Sequence, residues 1–250
     1  QLCITQRFLY GAAPYDDVIG FAASLEAEAR RLGAARGAAF AVTLRGEAEL
    51  LAGRLDRAAA DLEAGAELHR AIGGAVGESH ALQRRAEVAL NQGDVDAARL
   101  LLDEALAIAR ESDVGFHLFD RIYGALLAAA VDPDAAGREL EAAEAAIRGP
   151  AETCPGCRIT FTVPAAIAAA RAGDLERARE HAAASEELAN VVMRLPAWYA
   201  AVDEVRGHLA LAEGDRALAA SSLRAAAAGF EAAGQPLDAA RCAALVPSGA

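Results

Sequence analysis

Five times along this chain a small residue is followed twelve positions later by alanine: Gly46/Ala58, Ala86/Ala98, Gly124/Ala136, Ala166/Ala178 and Gly207/Ala219. Four residues beyond each alanine stands Leu62, Leu102, Leu140, Ala182 or Leu223, and three further on comes Gly65, Ala105, Ala143, Ser185 or Ala226. The unit recurs about every 40 residues. Small residues at such positions let two helices approach closely while one bulky side chain fills the gap, which is the pattern of a helical hairpin repeat. A chain patterned this way is confined to stacking hairpins, and a stack of hairpins presents a surface more readily than a reaction chamber.

The turns follow the same period. Gly53, Gly93, Gly173 and Gly214 each follow a helix-forming stretch, and an Asp comes within three residues, as Asp56, Asp94, Asp174 and Asp215. Glycine accepts the left-handed conformation past a helix end, and Asp accepts hydrogen bonds from the free N–H groups of the next helix. The fourth hairpin uses Asp132-Pro133 instead, with proline suited to a first helical turn. The spacing predicts helices over 2–11, 15–32, 36–52, 56–72, 78–92, 95–111, 116–130, 133–148, 159–172, 175–192, 197–213 and 215–233, with a cap helix over 236–246 that covers the end of the stack. The fold expected is all-α: a right-handed superhelical solenoid of about six tetratricopeptide-like hairpins with a C-terminal cap helix. The units run over 1–34, 35–75, 76–113, 114–152, 153–194 and 195–235 of one domain. Ile159–Val163 is the nearest approach to a strand, but Pro164 and the alanines after it favour an irregular helix start.

Composition narrows the function. The 250 residues include 69 alanines and no lysine, and the formal net charge is −12. A nucleic-acid binder needs a basic stripe to neutralise phosphates, and none occurs, so direct nucleic-acid binding by this segment is not expected. No apolar run reaches the length needed to span a membrane, and no N-terminal signal precedes the repeats. Four cysteines are too few for a disulfide scaffold, which points to a reducing cytoplasm. A chain that begins at Gln1 and has its single methionine at Met193 is expected to be a piece of a larger protein.

The small-residue pattern resembles tetratricopeptide repeats, although their usual spacing is shorter. Longer, looser hairpins of this kind occur in the helical regions of large, ATPase-containing LuxR-type transcriptional regulators. Two stretches resemble actinobacterial members more specifically: Cys154-Pro-Gly-Cys-Arg-Ile-Thr-Phe-Thr-Val-Pro-Ala-Ala-Ile-Ala-Ala-Ala-Arg-Ala-Gly-Asp174 and Gly234-Gln-Pro-Leu-Asp-Ala-Ala-Arg-Cys242. The resemblance implies repeats that receive a signal, as a small inducer or a protein contact, and restrain or release neighbouring domains. Family members commonly carry an NTP-binding module before the repeats and a helix-turn-helix domain after them. Neither activity belongs to this segment, because a G-x-x-x-x-G-K-[ST] loop cannot occur without lysine and no basic recognition helix follows Cys242.

Few constellations carry chemistry. Cys154 and Cys157 form one C-x-x-C, half of a structural zinc site, and His69, His80, His117, His181 and His208 are too scattered to complete it. They read as loop cysteines, with redox sensing and metal binding as the other readings. No G-x-S-x-G elbow and no H-E-x-x-H occurs, so no catalytic residues, metal or cofactor are expected. In tetratricopeptide stacks the first helix of each hairpin lines a concave groove. The corresponding positions here are Phe40, Thr43, Glu47, His80, Gln83, Glu87, Leu118 and Arg121, with Thr160, Val163, Glu204 and His208 in later units. These form the candidate ligand or partner site, with Arg121 or Glu87 as polar anchors and a solvated helix face as the alternative. The reading is a non-catalytic sensing module of a bacterial transcriptional regulator that binds a protein, a peptide or a small inducer. A free-standing scaffold is the runner-up, and a thiol redox or metal protein is the third reading.

Overall fold

A computed structural model describes residues 5, 7–130, 132–147 and 153–247. Twelve α-helices occur among them: α1 (Tyr15–Arg31), α2 (Ala35–Leu51), α3 (Leu55–Ala71), α4 (Ala75–Asn91), α5 (Val95–Glu111), α6 (Phe119–Ala128), α7 (Pro133–Ala146), α8 (Pro155–Ala172), α9 (Leu175–Glu187), α10 (Pro196–Glu213), α11 (Arg216–Ala232) and α12 (Pro236–Ala244). The described residues hold no strand, and the fold is an all-α solenoid of hairpins. None of these helices is long and apolar enough to cross a membrane.

The repeat pattern is realised atom by atom. Ala58, Ala98, Ala136, Ala178 and Ala219 are buried, and so are Leu62, Leu102, Leu140 and Leu223. Gly46 and Gly207 show why the facing position must be small: a Cβ on either would stand 2.7 or 2.6 Å from Cγ of Leu62 or Leu223. In the fifth unit Ala182 stands where leucine stands elsewhere, and there Phe161 packs edge-on to His181 with ring centroids 5.6 Å apart. Asp94, Asp132, Asp174 and Asp215 cap α5, α7, α9 and α11 by accepting the N–H three residues on. Asp56 does not cap; it sits inside the first turn of α3, where a negative charge still favours the helix N-terminus.

The helices form two layers. Even-numbered helices lie inside and are packed on almost every side; α8 buries twelve residues, from Gly156 to Ala170. Odd-numbered helices lie outside with one narrow buried stripe, and α9 buries only Ala178 and Ser185. Ion pairs such as Arg45 with Asp61 and Arg179 with Glu213 tie the outer surface. Partly or fully exposed, they add little individually.

Four local expectations are corrected. The helix expected over 2–11 starts outside the described residues (1–4 and 6) and ends in a π-helical turn, Phe8–Ala12. That turn is broken at Tyr10 and at Gly11, whose φ of +99° brings it against Pro196. The helix expected from 159 begins at Pro155, so Ile159–Val163 is helical and Cys154 and Cys157 sit at a helix N-terminus. Part of the long loop, 148–152, lies outside the described residues, as do Cys3 and Val131. The helix expected over 175–192 changes to a π-helical turn at Leu188–Met193, and Arg194 then turns back with φ +52°. Pro196 is the reason, because it forces Leu195 into extended backbone before α10 can start. Finally, the helix expected over 116–130 is shortened at both ends to α6, with a 3-10 turn at Gly115–Leu118 before it.

Inside α8, Pro164 has no N–H to offer Thr160, whose carbonyl is left without its helical partner. That carbonyl faces Gly124 of α6 so closely that a Cβ on Gly124 would lie 2.1 Å from the oxygen. Glycine is required here by proximity, and the two inner helices meet backbone to backbone.

The two ends of the solenoid meet. Tyr10 stacks on Trp198 of α10 with ring centroids 4.4 Å apart. Gln235, at the start of α12, donates to the Tyr15 hydroxyl at 2.6 Å, and Tyr15 in turn donates to the Leu9 carbonyl at 2.5 Å. Pro236 and Leu237 lie over Gly53, in the turn between α2 and α3. The helix expected to cap the stack therefore joins its last unit to its first. One apolar cluster accordingly runs from Tyr10, Tyr15 and Leu44 through Trp198 to Phe230 and Cys242.

Candidate functional site

Closure leaves a half-open cavity of about 840 Å³ lined by all six inner helices and by Tyr10. This volume falls in the range of small-molecule sites, roughly 300–1,000 Å³. Most of the wall is aliphatic, with Leu50, Leu51, Leu90, Leu127, Val163 and Ile167, and the aromatic part comes from Trp198 and Phe230. Alanine-rich inner helices make the space possible, because Ala125, Ala168 and Ala201 leave the lumen unfilled.

Two ionic clusters sit in this wall, the first buried and the second reaching solvent at Arg241. In the first, Arg84 of α4 donates to Glu47 of α2 at 2.8 Å, to Glu87 at 2.6 Å and to the Tyr10 hydroxyl at 2.9 Å. His80 Nε2 lies 3.0 Å from the same Glu47 oxygen. Burial alone would raise the Glu47 carboxyl, but the hydrogen bond from His80 and the Arg84 and Arg121 guanidinium groups outweigh it and hold the group below the usual carboxylate range. Burial pushes the His80 imidazole down; Glu47 counters only in part, and Arg121 and Arg84 push the same way as burial. His80 is therefore neutral, its Nε2–H donates to Glu47, and its Nδ1 is a buried acceptor with no partner. With His80 neutral, the Arg84 and Arg121 charges keep Glu47 ionised.

In the second cluster Arg241 of α12 grips Glu204 of α10 with two hydrogen bonds of 2.8 Å and also pairs with Asp238. Burial raises the Asp238 carboxyl, and Arg241 pulls it back. Each cluster thus holds one guanidinium between two carboxylates.

Arg121 differs from both. It is 3% exposed and lines the cavity, yet it makes no hydrogen bond or ion pair among the described residues. Its Nε is a buried donor without an acceptor, and so is Trp198 Nε1.

The residues singled out in the sequence separate into three settings. Glu87 and Arg121 face the cavity. Glu47, His80 and Gln83 lie behind them as buried polar support, Gln83 donating to Glu87 at 2.6 Å. Phe40, Thr43 and Leu118 are spent on packing: Thr43 bonds the Ala39 carbonyl and fits against Gly65, Leu118 joins the core of the middle units, and Phe40 leans on the cluster at the closure. Thr160, Val163, Glu204 and His208 all reach the lumen. Sequence reasoning missed Tyr10, Arg84, Asp238 and Arg241. A signal existed for the last two, because Pro236 follows Pro196 by 40 residues, placing α12 in the register of an inner helix.

The C-x-x-C lies outside this wall. Cys154 is the N-cap residue of α8, with Sγ accepting from the Cys157 N–H at 3.3 Å, and its thiol donates to Cys157 Sγ at 3.1 Å with no disulfide between them. Asp120 is buried beside them and pairs with Arg158 at 3.3 Å; burial raises its carboxyl. Among the described residues no three His, Cys, Asp or Glu side chains gather as a metal site.

The neutral state of His80 has a measurable sign. Its folded pKa lies below the ordinary value near 6.5, so the unfolded chain binds the extra proton first. The stability associated with the neutral ring is complete above about pH 6.5 and falls as pH drops below it, by up to about 1.4 kcal/mol per unit. Urea midpoints taken from pH 7.5 to 5.5 are expected to fall less steeply in His80→Gln than in the wild type. His69 and His208, both also lowered by burial, are present in both proteins and cancel. Parallel curves would mean that folding does not shift the His80 imidazole. No profile of a known protein family matches this chain, and no curated protein aligns with it significantly.

Proposed function

We propose that this chain is a non-catalytic sensing module of a bacterial transcriptional regulator, and that the signal is a small molecule held in the lumen of the closed solenoid. The observation that carries the reading is the cavity itself, lined by every inner helix and joined across the closure by Tyr10 and Trp198. A ligand touching all six inner helices would bias how tightly the two ends hold together, which is the differential contact that sensing requires. The transcriptional part rests on the resemblance of the repeats and of the segments 154–174 and 234–242. It is supported if the reading frame encodes a helix-turn-helix or NTP-binding domain beside the repeats, and a short free-standing gene would favour the scaffold instead.

Trp198 is the single tryptophan of the chain and stands in the cavity wall, so the protein carries its own reporter. A neutral apolar fluorophore, N-phenyl-naphthylamine, is expected to brighten on binding and to quench Trp198 emission. Ala128 lines the cavity at an exposed position, and Ala128→Phe is expected to weaken that binding without unfolding the protein. A probe that leaves Trp198 unaffected, or that binds both proteins alike, sinks the lumen as the ligand site.

A further inference from the structure

Two buried side-chain donors in the lumen wall have no acceptor among the described residues, Arg121 Nε and Trp198 Nε1. Tyr10, whose oxygen already accepts from Arg84, has its own O–H to give, and no recorded bond uses it. Tyr10 links the other two, since its ring stacks on Trp198 and its hydroxyl interacts electrostatically with Arg121. Glu47 attracts this guanidinium without bonding it, and a buried donor with no acceptor costs the fold stability unless something else completes it. The lining carboxylates do not: Glu87 is held by Arg84, and Glu204 and Asp238 by Arg241.

We propose that the lumen ligand is an apolar monocarboxylic acid whose carboxylate is held by Arg121, with Trp198 and Tyr10 as further donors. The inference rests on the reading of the lumen as a ligand site and specifies its chemistry. A planar guanidinium offers two parallel N–H groups to a carboxylate, which fixes orientation as well as charge. The aliphatic wall takes the rest of the molecule, excluding water from the ion pair and so strengthening it. One negative charge is the right number. The lining carries four arginines, Arg84, Arg121, Arg171 and Arg241, against three carboxylates, Glu87, Glu204 and Asp238, so one anionic group balances it.

The test uses the whole chain, with Trp198 emission and displacement of N-phenyl-naphthylamine as readouts. Octanoate is expected to bind about tenfold to hundredfold more tightly than octanol, the range of one charge-assisted hydrogen-bonded contact. Suberate, with a carboxylate at each end, is expected to bind more weakly than octanoate. Arg121→Met keeps the side chain's length and should abolish the preference for octanoate over octanol while leaving N-phenyl-naphthylamine affinity unchanged. Because Arg121 gives up no hydrogen bond among the described residues, the same variant should unfold at a urea concentration close to that of the wild type, with octanoate now giving no further protection. Equal binding of octanoate and octanol to the wild type overturns the carboxylate anchor, and that comparison needs no variant. If the neutral fluorophore binds while octanoate gains nothing over octanol, the lumen stands as a site and only the ligand class fails. If neither binds, both fail.

Discussion

Arg84→Met is expected to lower the unfolding free energy by about 3–5 kcal/mol, the cost of leaving a buried charge without its partner. The side chain of Arg84 is 4% exposed, as is that of Glu47. Removing the guanidinium leaves Glu47 in the core with only the neutral His80 as donor, and burial then drives its carboxyl upward. The loss would be largest at neutral pH, where the carboxylate must stay ionised or take up a proton against the solvent's supply. The double variant Arg84→Met/Glu47→Gln is expected to recover much of the loss, because it removes the stranded charge rather than the packing. Urea denaturation of the four proteins in that cycle measures the coupling directly. A single Arg84→Met variant as stable as the wild type would mean that the carboxylates are solvated in solution. The contrast with Arg121 is instructive: two arginines of equal burial, one with three hydrogen-bond partners and one with none among the described residues, predict very different losses on the same substitution.

Gly124→Ala should be nearly as costly for a different reason. A methyl group there would stand 2.1 Å from the Thr160 carbonyl oxygen, a backbone atom with no rotamer to escape into. Either α6 or α8 must move, and a displaced helix disturbs packing on both sides. Overpacking of this kind costs about 1–3 kcal/mol or more, although alanine is the better helix former by about 1 kcal/mol. At Gly20, where a Cβ would meet nothing within 4 Å, the same substitution is expected to be stabilising. A shared sign in the two thermal midpoints would show that helix propensity, and not contact, decides at Gly124.

Much of the architecture was legible because it repeats. The glycine and aspartate turns and the alanine and leucine positions set the register, and every inner helix or turn starts on a spacing of 40 or 41 residues from Ala35 to Pro236. That period already placed the start of α8 at Pro155, and the reading of a loop up to residue 158 went against it. Local composition misled there: two prolines, two glycines and two cysteines look like a loop, yet Pro at the first helical position and a capping sulfur suit a helix start. The site was legible only in part. A face can be read from periodicity, so Glu87 and Arg121 were found, but which residues of that face are spent on neighbours depends on side chains from distant units. Phe40, Thr43 and Leu118 went into helix seams for that reason. Closure itself left no local signal, since Tyr15 and Gln235 are 220 residues apart.

That closure changes how the molecule can come apart. In an open stack each terminal hairpin has one neighbour, so the ends fray and stability is a sum of pairwise interfaces. Here the first and last helices are neighbours too, through Tyr10 with Trp198 and Tyr15 with Gln235. No hairpin is terminal, and the first break must open a circle before any unit can peel away. The unfolding transition is therefore sharper than that of a linear array with the same interfaces. The contact that confers this is also the last to form, because nearly the whole chain must be in place before its ends can find each other.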